Sequence, residues 1–228
     1  MAGLAKKIWI IANWKSNKNI AEALDWVSIV GPKIPKSENL QVVVCPTFSA
    51  LSEVKKIIQV NNFNLMVGSQ DLSPFPEGAY TGEEAAKILK EVVELSILGH
   101  SERRKNFSET DEMVANKVKQ ALDNNIVPLV CVQDENTPIS ADVKLVAYEP
   151  IFAIGTGNPD TPENANEIAK SLKQKYPELE ILYGGSVNSG NIVSFIRQQD
   201  INGALIGGAS LDPEEFIKIL KECVGETS

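Results

Sequence analysis

Short apolar runs recur along the chain at residues 8–12, 42–45, 65–68, 95–98, 127–132, 145–148, 181–183 and 204–206. They are rich in Val, Ile and Leu and run continuously instead of alternating with polar residues. A strand buried on both faces reads this way, which is the condition of a parallel sheet covered by helices. Between these runs the period changes. Residues 20–30, 51–60, 83–93, 113–124, 163–176, 191–198 and 214–223 carry apolar positions three and four apart, the spacing of helices with one buried face.

Helix starts carry their own signals. In Asp212-Pro213-Glu214-Glu215 an N-cap aspartate precedes a proline at the first helical position, and a glutamate at the third predicts a capping box. Thr161-Pro162 repeats the start without the acid. Strands alternating with helices predict parallel βαβ units. Eight of them point to a closed (β/α)8 TIM barrel, a single α/β domain over residues 1–228, with an open doubly wound sheet as the competing architecture. One unit breaks the rule. The stretch 133–144, after strand five, contains Pro138 and lacks helical periodicity. It has the dozen or so residues a parallel crossover needs, so the helix after strand five is expected to be missing.

Composition narrows the function. The net charge of -8 argues against nucleic acid or an anionic membrane as the main partner. An anionic ligand would need a locally positive site. Three cysteines without framework spacing fit a reducing compartment. No apolar run nears the roughly 18 residues of a membrane span, and 8–12 is short for a signal-peptide core. The chain is therefore expected to be cytoplasmic. A single histidine and scattered cysteines give no metal-ligand spacing, and no dinucleotide fingerprint follows the first strand.

In a barrel, chemistry gathers where strands end and the following loops begin. Lys15 follows the first strand, and its ammonium could supply the missing positive potential. His100 ends strand four, after Gly99 and before Ser101-Glu102-Arg103-Arg104. A neutral imidazole there can donate a hydrogen bond to an oxygen that is gaining charge. Glu149 ends strand six before Pro150, where a carboxylate can act as a general base. The loop beyond it, with Ile151, Phe152 and Ile154, is too apolar for an ordinary exposed turn. It reads as a lid that excludes water, with Gly155 and Gly157 absorbing its movement. Gly184-Gly185-Ser186 and Gly207-Gly208 follow strands seven and eight, where main-chain N–H groups can converge on a phosphate. Cys131, at the end of strand five, reads as packing, as do Trp9 and Trp14.

These motifs resemble triosephosphate isomerases. The similarity lies in Asn13-Trp14-Lys15, Gly78-Ala79-Tyr80-Thr81-Gly82-Glu83, Gly99-His100-Ser101-Glu102-Arg103-Arg104, Ala147-Tyr148-Glu149-Pro150, Ala153-Ile154-Gly155-Thr156-Gly157, Tyr183-Gly184-Gly185-Ser186-Val187 and Gly207-Gly208-Ala209-Ser210-Leu211. They follow the family order along nearly the whole chain. The resemblance implies interconversion of dihydroxyacetone phosphate and glyceraldehyde 3-phosphate without a cofactor or metal. It makes Glu149 the base, His100 the electrophile and proton shuttle, and Lys15 the stabiliser of the enediolate. Asn13 would hold substrate oxygens. Gly155, Ser186, Gly207 and Gly208 would hold the phosphate. Ser101, Glu102, Arg103 and Cys131 would support the site, with Ser101 bonded to Glu149 and Glu102 coupled to Lys15 and His100.

The resemblance also implies a homodimer, or a tetramer, joined through the loop after strand three, from Gln70 to Gly82, which Pro74-Phe75-Pro76 would stiffen. The chain departs from the family pattern in four places. Phe152 stands where the family usually has Trp, Cys131-Val132-Gln133 replaces Cys-x-Gly, the far end of the lid reads Asn158-Pro159-Asp160, and the helix after strand five is lost. Another phosphate-binding barrel enzyme would account for the glycines but not for Lys15, His100 and Glu149 together. A non-catalytic scaffold of this family would be expected to lack one of those three.

Overall fold

The computed structural model describes residues 6–153 and 159–225. Eight parallel strands close on themselves in chain order: β1 (Ile8–Asn13), β2 (Leu40–Cys45), β3 (Met66–Ser69), β4 (Leu95–Leu98), β5 (Val127–Val132), β6 (Leu145–Tyr148), β7 (Glu180–Tyr183) and β8 (Gly203–Ile206). The ring shuts where Trp9, Ile10, Ile11 and Ala12 pair with residues 203–206. Continuous apolar strands follow from this closure, because each strand buries both faces. One face points into the barrel, where Ile11, Val43, Leu95, Ile97, Leu129 and Leu182 pack together. The other meets the helices through residues such as Ile10, Val42, Val130 and Ile181.

The outer helices are α1 (Ile20–Val30), α2 (Leu51–Asn61), α3 (Ala86–Leu89), α4 (Ser101–Phe107), α5 (Asp111–Asp123), α6 (Pro162–Lys175), α7 (Ile192–Ile196) and α8 (Pro213–Gly225). The periodicity over 83–93 overreaches, since only one turn of α3 forms there, with irregular chain before it and a turn after it. The predicted capping box at α8 forms only in part. Asp212 Oδ1 accepts the Glu214 N–H at 2.9 Å, but the Glu215 carboxylate accepts the Ser189 N–H at 2.7 Å, tying α8 to the loop after β7. At α6, Thr161 caps the Asn164 N–H with Pro162 in the first turn, as its sequence predicts.

Between β5 and β6 the chain crosses over without a helix. The Asp134 side chain holds the first turn by accepting the N–H groups of Asn136 and Thr137. Ile139 and Val143 are buried and take over the helix's role of covering the barrel flank. Lys175 and Tyr176, at the end of α6, donate to the carbonyls of Glu135 and Ile139 and pin the crossover down. Among the described residues no helix is long and apolar enough to cross a membrane.

Candidate active site

The ends of β1, β4, β7 and β8 open onto a cleft of about 270 Å³, lined by Asn13, Lys15, His100, Ser186, Gly207 and Gly208 among others. Every described candidate with a proposed substrate contact lies in it except Glu149, which sits beside it. Gly155 lies outside the described residues.

Lys15 adopts a left-handed backbone, with φ of 53°. Such a conformation costs a non-glycine residue about 1–2 kcal/mol, and side chains around it hold it in place. Asn13 Oδ1 accepts the Lys15 N–H at 3.1 Å. Gln70 Nε2 donates to the Lys15 carbonyl at 2.7 Å and to the Cys45 carbonyl at 3.0 Å. The side chain then lies against Gly207, where a Cβ would stand 3.4 Å from Lys15 Cε. Its ammonium reaches Glu102 Oε1 at 2.5 Å. Sequence reasoning missed Gln70, because an amide that holds another residue's backbone leaves no spacing signal.

His100 is the N-cap of α4, and its Nδ1 accepts the Glu102 N–H at 3.2 Å. A nitrogen that accepts a hydrogen bond carries no proton, so the ring hydrogen sits on Nε2. That Nε2 lies 2.9 Å from Glu149 Oε1. The position depends on Gly99, at φ 71°, where a Cβ would meet Val114 at 3.0 Å and Arg104 Nη2 at 3.1 Å. Arg104 secures the same turn through the Gly99 carbonyl.

Glu149 is 1% exposed, and its second oxygen accepts the main-chain N–H of Ser101 at 2.9 Å. The expected Ser101 contact therefore exists but runs through the backbone. The Ser101 hydroxyl has no partner among the described residues. Cys131 lies buried near Glu149. Burial, then the neighbouring Glu149 carboxylate, push its thiol well above the usual range. This agrees with the packing reading and rules out a thiolate nucleophile at neutral pH. Trp14 likewise packs, edge-on against Trp26 at 4.9 Å.

Arg103 turns away from the cleft into a charged cluster. It meets Asp71 at 2.8 Å and Glu109 at 3.4 Å, while Lys117, 2% exposed, bonds both acids. Burial raises the Asp71 carboxyl above its ordinary range, against the pull of Lys117 and Arg103. Asp71 follows Gln70 at the base of the loop after β3. The cluster therefore fixes that base against α4 and α5. Sequence reasoning placed Arg103 at the site without finding these partners, because they come from three separate elements.

Comparison with known proteins places the whole chain in one family. A sequence profile described as triosephosphate isomerase matches residues 8–223. The chain is 37% identical to a triosephosphate isomerase of Endomicrobium trichonymphae, covering 95% of this chain and 98% of that one. It is 41% identical to one from Alkaliphilus oremlandii, over 94% and 99%, and 38% identical to one from Clostridium beijerinckii, over 94% and 99%. All three alignments run over 248 positions against a chain of 228 residues, so those relatives carry residues without a counterpart here. With the closed barrel, the match over almost the whole length shows that this chain belongs to the triosephosphate isomerase family.

Proposed function

We propose that the chain interconverts dihydroxyacetone phosphate and glyceraldehyde 3-phosphate, with Glu149 as the base, His100 as the electrophile and Lys15 as the fixed cation. The substrate carbonyl oxygen takes the cleft beside His100 Nε2 and Lys15. Glu149 exchanges its Ser101 N–H contact for the carbon-bound hydrogen and removes it as a proton. The negative charge moves to the former carbonyl oxygen, where the Nε2 hydrogen and the Lys15 ammonium stabilise it. A proton passes between the two oxygens through His100, and Glu149 returns its own proton to the neighbouring carbon. Asn13 holds Lys15 and the substrate oxygens. Main-chain N–H groups of Gly155, Ser186, Gly207 and Gly208 hold the phosphate. Glu102, Ser101, Arg103 and Cys131 keep these groups in place.

The observation that carries this reading is the imidazole whose Nδ1 is occupied by the Glu102 N–H, leaving its proton on Nε2, 2.9 Å from the Glu149 carboxylate. A coupled assay with glyceraldehyde 3-phosphate tests it. General acid–base groups contribute about 10²–10⁴-fold, so Glu149→Asp and His100→Gln should each lower turnover by at least about 10²-fold. Unchanged turnover in either variant contradicts the assignment.

The reading extends to assembly and location. The loop from Gln70 to Gly82 ends in Phe75 and Tyr80, stacked at 4.3 Å and each more than two-fifths exposed. A stiff apolar tip of this kind supports a homodimer, or a tetramer, in which the loop seats on a second copy. The chain acts in the cytoplasm on a soluble triose phosphate.

A further inference from the structure

Gly207 and Gly208 line the mouth of the cleft, on the loop after β8. A Cβ at Gly208 would meet nothing within 4 Å, and one at Gly207 would meet only the Lys15 side chain, at 3.4 Å. Both glycines are therefore open toward the cleft, and their placement is set from behind. Ser210 stands there, fully buried. Its N–H and its hydroxyl both donate to the Gly207 carbonyl, at 2.9 and 2.6 Å, and draw Gly208–Leu211 into one tight turn. The Ser210 carbonyl in turn accepts Trp26 Nε1 at 2.9 Å, a buried bond that runs from α1 to this loop.

Trp26 is 1% exposed. Its ring lies edge-on to Trp14 at 4.9 Å and tilted against Phe216 of α8 at 5.2 Å. Trp14 directly precedes Lys15, whose Cε is the atom nearest the open side of Gly207. One indole thus touches the segment that carries the cation and bonds the turn that carries the glycines. Packing does not account for the bond, because a phenyl ring would also fill the space between Trp14 and Phe216. Nor does burial, since Trp14 is equally buried and its Nε1 has no partner among the described residues.

We propose that Trp26 is a positioning residue for phosphate binding, its indole N–H fixing the Ser210 turn and through it the Gly207 and Gly208 amides relative to Lys15. This rests on the site reading given above. A main-chain donor holds an anion only while it points at it, because a hydrogen bond weakens steeply as its angle closes. Without the Trp26 bond, the Ser210 turn keeps its tie to Gly207 but loses its tie to the barrel. The loss falls on the phosphate end of the substrate. Binding energy gained there is spent at the reacting carbon, so kcat/KM falls with phosphate affinity. A substrate without a phosphate has nothing to lose.

Trp26→Phe keeps a ring between Trp14 and Phe216 and removes the donor. Three constants compare it with the parent: inhibition by inorganic phosphate, kcat/KM for glyceraldehyde 3-phosphate, and kcat/KM for unphosphorylated glyceraldehyde followed by proton NMR. A neutral hydrogen bond is worth about two- to tenfold in an equilibrium constant. The phosphate inhibition constant should therefore rise by about three- to tenfold. The constant for glyceraldehyde 3-phosphate should fall by a similar factor, and that for glyceraldehyde should stay within about twofold. A general loosening of the barrel would slow both substrates alike. A phosphate inhibition constant within about twofold of the parent, or a loss on glyceraldehyde as large as on its phosphate, overturns the proposal.

Should Trp26→Phe fail to fold, the parent carries the test through its three indole N–H resonances, assigned with Trp9→Phe and Trp14→Phe. Phosphate should shift the Trp26 signal with a midpoint at its inhibition constant. It should leave unmoved that of Trp9, which bonds Glu180 at the start of β7. An unshifted Trp26 signal overturns the proposal. If the parent does not turn over glyceraldehyde 3-phosphate, or phosphate does not compete with it, the site reading itself fails. If phosphate competes equally well in parent and Trp26→Phe, only this inference fails.

Discussion

Replacing Lys117 with methionine would test how the interior charge cluster holds the barrel together. The ammonium is 2% exposed and stands 2.6 and 2.8 Å from the two oxygens of Asp71, which is 12% exposed. It also bonds Glu109, 1% exposed. Methionine keeps most of the volume of the stem and removes the charge, leaving two buried carboxylates beside Arg103. Removing one partner from a buried ion pair costs about 3–5 kcal/mol. Arg103 is about a third exposed and already 2.8 Å from Asp71, but 3.4 Å from Glu109, so it compensates mainly at Asp71. The lower end, about 3 kcal/mol, is therefore expected at pH 7. At about 2–4 °C per kcal/mol for a chain of this length, the melting temperature should fall by about 6–12 °C at matched protein concentration.

The pH dependence of that loss has a definite sign. Burial already holds the Asp71 carboxyl above its ordinary range, and loss of Lys117 raises it further. A carboxyl whose folded-state pKa exceeds its unfolded value favours the fold below that value, and the contribution disappears as pH rises through the folded pKa. The deficit of Lys117→Met should therefore be largest at neutral pH and shrink toward pH 5. Thermal unfolding followed by circular dichroism at both pH values measures it. A loss within the ~0.5 kcal/mol of ordinary surface substitutions, or a deficit that grows on acidification, would refute the reasoning.

Three further outcomes follow from the same contacts. Gly99→Ala should cost about 2 kcal/mol, through the left-handed backbone and the close approach to Val114 and Arg104, and should lower kcat/KM because His100 comes next; melting and kinetics check both. Burial raises the thiols of Cys45, Cys131 and Cys223, the last to about 12, so a thiol-reactive dye at pH 8 should label none of the three in native protein and all of them in denaturant. Burial, then the nearby Lys173, lower the Lys6 ammonium from 10.5 to about 8, so between these values the unfolded chain holds a proton that the folded chain has lost. The Lys6 contribution therefore rises with pH across that window, against the opposite contribution of the three raised thiols, so the stability difference between the parent and Lys6→Met, followed in urea, should shift toward the parent as pH rises from 8 to 10.5.

Strand positions were legible because burial on both faces leaves continuous Val, Ile and Leu runs, and β4, β5 and β6 fall on the residues expected. Other strand ends shift by one or two residues, as at Asn13, which pairs with Cys45 although it is polar. The missing helix after β5 was legible because a helix needs a periodic apolar face, and 133–144 has none. Helix periodicity misled at 83–93, where Ala86 and Leu89 are buried at the right spacing but the chain turns away after one turn. Of the site, the residues at strand ends could be read individually. The groups that hold them could not. Gln70 acts on a backbone carbonyl, Glu215 leaves its own helix to bind Ser189, and Trp26 reaches from α1 to Ser210. Each depends on closure of the barrel, which brings together residues far apart in sequence.

In the proposed reaction one carboxylate, Glu149, carries hydrogen between neighbouring substrate carbons, aided by His100 Nε2 and Lys15. Proton NMR of dihydroxyacetone phosphate in D2O follows this step, by recording deuterium entering the hydroxymethyl carbon next to the carbonyl. The parent protein should exchange that hydrogen at a rate comparable with turnover. Glu149→Asp, whose carboxylate is withdrawn by one methylene, should exchange it about 10²-fold more slowly or less. Parental exchange in Glu149→Asp would show that another group removes the proton and that Glu149 is not the base.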